Sequence, residues 1–265
     1  MIPNILSIAG SDPSGGAGVQ ADIKAISANG GYAMAALTAL TAQNTQGVRA
    51  VDLVRPEMVA AQIAAIREDI RIDAVKIGML GTAELISAVA EAIKGLSVPV
   101  VLDPVMVAKG GDRLLAAEAV TALREVMLPR ATVITPNLPE AADLLGCAVA
   151  QSRSEMRDQA RGLRVMGARA VYLKGGHLGG EASPDLLLDG SGETWIEGLR
   201  LPTANTHGTG CTLSSALATQ LVRAPTLITA ARAARAYTHR AICAADGLSV
   251  GHGHGPLDHF FAARG

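Results

Sequence analysis

Short apolar runs alternate along this chain with helical patterns, and most of the runs end on a polar residue. That order marks βα units on a largely parallel sheet, because parallel neighbours need a crossover long enough to hold a helix. Residues 5–9 read as a buried strand running into the Gly-rich stretch 10–18, with a helix to about residue 28. Pro56 fits a first helical position, and Val59, Ile63, Ile66 and Ile70 then mark one helical face. Strands are predicted at 74–77, 98–102, 132–135 and 170–173, with Thr82 capping a helix that Gly95 ends. Ser152 and Glu155 make a capping box for a further helix. Two short strands near Leu186 and Trp195 suit an antiparallel edge, and helices starting near Thr209 and Pro225 close the chain. Asp12, Asp103, Asn137, Glu140 and Lys174 all follow strand candidates. In an open α/β sheet that is the rim where ligands bind.

No repeat, charged tail or Ser/Pro linker divides the 265 residues, which predicts one domain over 1–265. Aromatic residues are only 2% of the chain, so the core must rest on Ala, Val, Ile and Leu. A formal charge of -1 offers no basic field for a nucleic acid or an anionic membrane. Apolar runs stay short of the roughly 18 to 20 residues a membrane span needs. The opening MIPNILSIAGSD has no basic region and reaches Asp12 too early for a signal peptide. Cys147, Cys211 and Cys243 are odd in number and lack metal-ligand spacing, which argues for a reducing, cytoplasmic setting.

The sharpest local signal is Asn205-Thr206-His207-Gly208-Thr209-Gly210-Cys211-Thr212 ahead of an apolar-periodic helix. Two glycines and small hydroxyl residues at a helix start leave amides pointing forward, a site for an anion such as a transferring phosphoryl group. An ordinary Gly-containing turn with a Thr cap is the competing explanation, and no Walker A lysine follows. Cys211 in the first turn should have its thiol pKa pulled below the usual 8.5 or so; it reads either as a base or as a small packed side chain. Asp103 and Glu140, at two strand ends, could hold Mg²⁺ through waters, although Asn137 and Glu140 also make a capping box needing no metal. Gly10, Gly15, Gly16 and Gly18 do not form the dinucleotide fingerprint, and Asp12 would repel a pyrophosphate, so this loop suits a neutral ligand. Gln43 offers a donor and an acceptor to an aminopyrimidine edge. Lys109 in Lys109-Gly110-Gly111-Asp112 reads as part of a flap able to reach phosphates, and Lys174 puts a cation at a strand end; surface solvation competes for both. Asp22 reads equally as a surface carboxylate, and His252 and His254 receive no role.

Together AGSDPSGGAGVQADIKAI, ALTAQNTQGV, KIGML, VLDPVMVAKGGD, ITPNLPEA, LKGGH and NTHGTGCTLSSA resemble the hydroxymethylpyrimidine/phosphomethylpyrimidine kinases of the ribokinase-like superfamily. They lie in order from residue 9 to 216. The resemblance implies a three-layer α/β/α sandwich with a mostly parallel central sheet and an antiparallel edge. It also implies ATP-dependent phosphorylation of 4-amino-5-hydroxymethyl-2-methylpyrimidine to the monophosphate and then the diphosphate, for thiamin biosynthesis, by a homodimer. Carried across, Gly10, Asp22, Gln43, Met79 and Val105 would hold the pyrimidine, and Gly208, Thr209, Gly210 and Cys211 the transferring group. Thr206, Asn137, Lys174 and Lys109 would meet ATP, and Asp103 and Glu140 would meet Mg²⁺. Many sugar kinases of this superfamily carry Asp where this chain has Cys211, whereas some pyridoxal kinases share the cysteine. Pyridoxal kinase is therefore the nearest competing activity; a non-catalytic pyrimidine-binding domain is the competing class, and a dinucleotide-binding dehydrogenase a distant third.

Overall fold

The computed structural model describes residues 1–106 and 117–263. In chain order the first half is β1 (Asn4–Ala9), α1 (Gly18–Ala28), β2 (Tyr32–Leu37), β3 (Ala39–Asn44), β4 (Gly47–Leu53), α2 (Pro56–Asp69), β5 (Ala74–Ile77), α3 (Ala83–Ala92) and β6 (Val100–Leu102). Then come α4 (Ala117–Ala122), β7 (Val133–Ile134), α5 (Leu138–Leu145), α6 (Arg153–Val165), β8 (Val171–Leu173), β9 (Asp185–Asp189), β10 (Gly192–Ile196), α7 (Thr209–Arg223) and α8 (Leu227–Cys243). Eight strands make one sheet in the order β10-β9-β8-β7-β6-β5-β1-β2. From β2 to β8 every pairing is parallel, and β9 and β10 add the antiparallel edge. β3 and β4 form a separate hairpin.

Strand alternation divides the core into two layers. Leu6, Ile8, Val75, Ile77 and Leu102 pack with α2, α3, α5 and α6 on one face. Ile5, Ala74, Val101, Val133 and Tyr172 pack with α1, α7 and α8 on the other. This is the three-layer arrangement that the resemblance implies. The helices of the second layer are faced with Ala216, Ala218, Ala230, Ala231 and Ala234, all wholly buried, so they approach the sheet closely without aromatic bulk. No helix among the described residues is long and apolar enough to cross a membrane.

Local chemistry moves several boundaries. Pro99 has no N–H to give, so β6 begins at Val100, whose own amide is taken by the Thr132 hydroxyl (3.0 Å). Ile70 has extended backbone (φ -113°, ψ 128°) and so lies past the end of α2, not on its face. Thr226 accepts from the Thr229 amide and caps α8, leaving Pro225 outside it. Ser152 caps α6 as expected, but Glu155 reaches back to the Gln151 amide (2.6 Å) instead of closing a box on Ser152. β2 and the β3–β4 hairpin were not anticipated: their mixed Ala, Thr, Gln and Asn content carries no clean period.

Ile77 is wholly buried in β5. Ile77→Ala is expected to cost about 2–5 kcal/mol, read as a fall in the urea midpoint at unchanged slope.

Candidate active site

Five parallel strands turn polar residues to one face of the sheet because of where their alternation falls. Ser7, Lys76, Asp103, Thr135 and Lys174 each stand two residues beyond a side chain of the α1–α7–α8 layer, namely Ile5, Ala74, Val101, Val133 and Tyr172. All five therefore point beneath α1 and α7, with Asp103, Thr135 and Lys174 just past the ends of their strands at the C-terminal rim of the sheet and Ser7 and Lys76 inside β1 and β5.

On this rim Lys174 Nζ donates to Asp103 Oδ1 (3.0 Å) and stands 3.8 Å from Glu140 Oε2. Thr135 Oγ1 donates to the same Asp103 oxygen (3.1 Å), and Ser214 Oγ of α7 to the other (3.3 Å). Burial works to raise the Asp103 pKa, but Lys174 and Lys76 outweigh it and hold the carboxyl below its ordinary range. Glu140 has less compensation: burial, with the charge of Asp103 behind it, pushes it up to about 7. Burial opposes the charge on Lys174, yet Asp103 and Glu140 keep its pKa above the ordinary value. The Asn137–Glu140 capping box is present in both directions (2.8 and 2.7 Å). One oxygen of Glu140 thus serves the cap while Lys174 lies near it, so capping and a polar role coexist.

The turn 205–211 meets this cluster. Gly208 caps α7 in the left-handed region (φ 80°), and a Cβ there would stand 1.8 Å from the Gly16 carbonyl oxygen. Only glycine allows the loop after β1 to lie so close. A Cβ on Gly210 would be 3.2 Å from Lys174 Nζ and 3.4 Å from Asp103 Oδ2, so the helix start faces the Asp103 rim. The amides of Gly210 and Cys211, in the first turn, have no carbonyl four residues back to bond.

His207 joins this turn to the first loop through a 2.8 Å contact of Nε2 with Asp12 Oδ2. Burial raises the Asp12 pKa, but His207, Ser14 and the Ala17 amide hold it down to about 2. The Gln43 amide nitrogen lies 3.4 Å from the same ring nitrogen. The tail completes the fastening: His207 donates its amide to Gly255, while Gly253 and His254 donate theirs to Thr45 at the end of β3.

A cavity of about 880 Å³ runs across these groups. Gly10, Gln43, Met79 and Val105 line it, as do Asp103, Asn137, Glu140, Lys174, Thr206 and the 208–211 turn, and the apolar Leu199, Leu201 and Ile242. Asp185 and Arg235 of the same lining pair with each other (2.9 Å), and Tyr172 and the Gly175 amide donate to Asp185. Lys109 lies outside the described residues.

Two expectations are corrected. Asp22 neither lines the cavity nor sits on the surface: it is wholly buried below the floor, accepting from Lys76 Nζ (2.8 and 2.9 Å), Ser7 (2.6 Å) and Ser215 (2.8 Å). The Cys211 thiol is not lowered. Burial, reinforced by Asp22 and Asp103, pushes it up to about 11 against the pull of Lys76 and the Gly18 amide. Lys76 and His207 were missed as site residues. A lysine inside the apolar run Ala74-Val75-Lys76-Ile77 was the available signal for the first, since a charge there needs a buried partner.

The family model for phosphomethylpyrimidine kinase matches residues 12–258. The chain belongs to the phosphomethylpyrimidine kinase family. The hydroxymethylpyrimidine/phosphomethylpyrimidine kinase of Escherichia coli is 50% identical over 260 residues, spanning 98% of both chains. A thiamine biosynthesis bifunctional protein of Geobacter sulfurreducens is 47% identical over 98% of this chain and 53% of its own length. Among solved structures, an ADP complex of Bacillus subtilis pyridoxal kinase superposes with a TM-score of 0.91 at 36% identity, covering all of both chains. The chain is thus a kinase with the ribokinase-like fold.

Because its thiol is raised, Cys211 in this kinase should be alkylated by iodoacetamide at a rate that climbs about tenfold per pH unit from pH 7 to 10. The measurement uses a Cys147→Ser, Cys243→Ser background, both of those thiols being exposed. A plateau reached below pH 9 would restore the lowered thiol expected of a helix start.

Proposed function

We propose that this chain, working as one domain in the cytoplasm, moves the γ-phosphoryl group of MgATP onto 4-amino-5-hydroxymethyl-2-methylpyrimidine and then onto the resulting monophosphate, supplying thiamin biosynthesis. The observation that carries this reading is the helix-start turn 208–211 facing Asp103 and Lys174 within the cavity that Gln43, Met79 and Val105 also line. The ring would lie against Met79 and Val105 with its amino edge at Gln43, whose amide can both donate and accept. The apolar lining at Leu199, Leu201 and Ile242 suits a nucleotide base.

The transferring group carries most of its charge on oxygens, so catalysis is chiefly positioning and electrostatics. The Gly210 and Cys211 amides and the Lys174 ammonium supply fixed positive ends in the cavity without reorganising. Asp103 and Glu140 are hard oxygen donors of the type that hold Mg²⁺. Among the described residues no cluster of three or more His, Cys, Asp or Glu could hold a metal alone, so these two carboxylates would act with water and nucleotide oxygens. Mg²⁺ bound there would neutralise phosphate charge. The exposed Leu40, Val51 and Leu53 of the hairpin supply apolar surface of the kind a homodimer would cover.

A coupled ADP-release assay with product masses tests the reading on the pyrimidine alcohol, its monophosphate and pyridoxal. Both pyrimidines should turn over, with kcat/KM for the alcohol at least about tenfold above that for pyridoxal. The likeness to the B. subtilis enzyme makes pyridoxal the informative competitor, and its preference would reassign the chain. Binding without turnover would make the chain a binding module. Cys211→Ala should slow the alcohol step about 10²-fold and the phosphate-acceptor step far less, since only the alcohol must lose a proton; equal losses would confine Cys211 to the anion site.

Glu140, pushed up to about 7, is mostly protonated at pH 6 and ionised at pH 8. The half-saturating free Mg²⁺ concentration should therefore fall about five- to tenfold between those values, and Glu140→Gln should flatten the dependence.

A further inference from the structure

Below the cavity floor lies a second ion pair with no part in the mechanism above. Lys76 and Asp22 are both wholly buried, and Asp22 is held by hydroxyls from β1 (Ser7) and α7 (Ser215) as well as by the ammonium. Its placement is specific. Gly18 and Asp22 are four residues apart on α1, and Cys211 and Ser215 four apart on α7, so each pair shares a helix face. The lower rung joins Asp22 to Ser215 (2.8 Å), and Gly18 and Cys211 stand one turn away from it on the same two helix faces. Lys76, rising from β5 between the two helices, pairs with the lower rung and reaches the lining of the cavity that Cys211 also lines.

We propose that Lys76 is a positioning residue for the alcohol step: its ammonium, anchored by Asp22, favours the thiolate form of Cys211 that then takes the proton of the substrate oxygen. In that step the alcohol O–H bond breaks and the proton goes to the thiolate, which becomes the thiol. The oxygen's electron pair forms the new O–P bond, and the bond from the γ-phosphorus to the nucleotide's bridging oxygen breaks, releasing ADP; the thiol later returns its proton to water. Four charged groups from four elements act on the Cys211 sulfur: Lys76 from β5, Asp22 from α1, Asp103 after β6 and Lys174 after β8. Lys76 is the cation that Asp22 holds against the lower rung, whereas Lys174 is bound to Asp103 and Glu140. A solely structural pair would not need Lys76 to reach the cavity that Cys211 lines.

The inference rests on the kinase reading, so the deciding measurement is made without substrates. In the Cys147→Ser, Cys243→Ser background, iodoacetamide labelling of Cys211 at pH 8.5 should slow about tenfold in Lys76→Met and quicken severalfold in Asp22→Asn. The two variants break the same bond, so a packing role predicts shifts in one direction or none; either result would overturn the proposal. Lys76→Met should also lower kcat for the alcohol at least about tenfold more than kcat for the monophosphate, with partial rescue by Lys76→Arg. Should Lys76→Met fail to fold, the double variant Lys76→Met, Asp22→Asn removes the charges together, and wild-type alcohol turnover in it would refute the role of Lys76. Absence of transfer in the unsubstituted chain would strike the kinase reading, leaving the labelling result to stand or fall by itself.

Discussion

Taking an ammonium and a carboxylate out of water costs several kcal/mol per ion before their attraction offsets it. This fold does so twice beneath one helix, with Lys76 on Asp22 and Lys174 on Asp103, at side-chain exposures of 0%/0% and 14%/2%. Both pairs are viable because hydroxyls take up the remaining carboxylate lone pairs: Ser7 and Ser215 for one, Thr135 and Ser214 for the other. α7 supplies a serine to each, at adjacent positions. Its first turn is thereby seated over the parallel strand ends, and the direction of its leading amides follows from that seating. The two ion pairs thereby favour the register of α7 that brings Ser214 to one carboxylate and Ser215 to the other.

Much of this was legible from residue types and spacing. The βα alternation, the Thr82 cap, the Asn137–Glu140 box and the turn before α7 depend on local chemistry that a sequence displays directly. So does the gathering of Asp103, Asn137, Glu140 and Lys174 on one rim, since each follows a recognisable strand. Asp22 illustrates what was not legible. On a helix after a loop it looks like a solvated carboxylate, and only the packing of α1 against α7 and β5 puts it under Lys76. The hairpin was hidden for a related reason: its strands lie outside the main sheet, so burial imposes no alternation on them.

Cys211 shows two general effects in competition. A helix start favours a thiolate by a fraction of an elementary charge within the first turn, and that argument alone lowers the pKa. Burial among carboxylates acts in the opposite sense and is larger, since the ionised sulfur would give up water and face Asp22 and Asp103. Position along a helix is visible in a sequence, whereas the charges acting on that position from four other elements are not.

The tail segment that bonds to Thr45 and to His207 has a thermodynamic corollary. The hairpin bearing Gln43 and the turn at the start of α7 are fastened to one short segment, so ordering either of them spares the other part of its entropy loss. A ligand that ordered the hairpin and one that ordered the turn would then be linked, each tightening the grip on the other by the same factor, whichever arrived first.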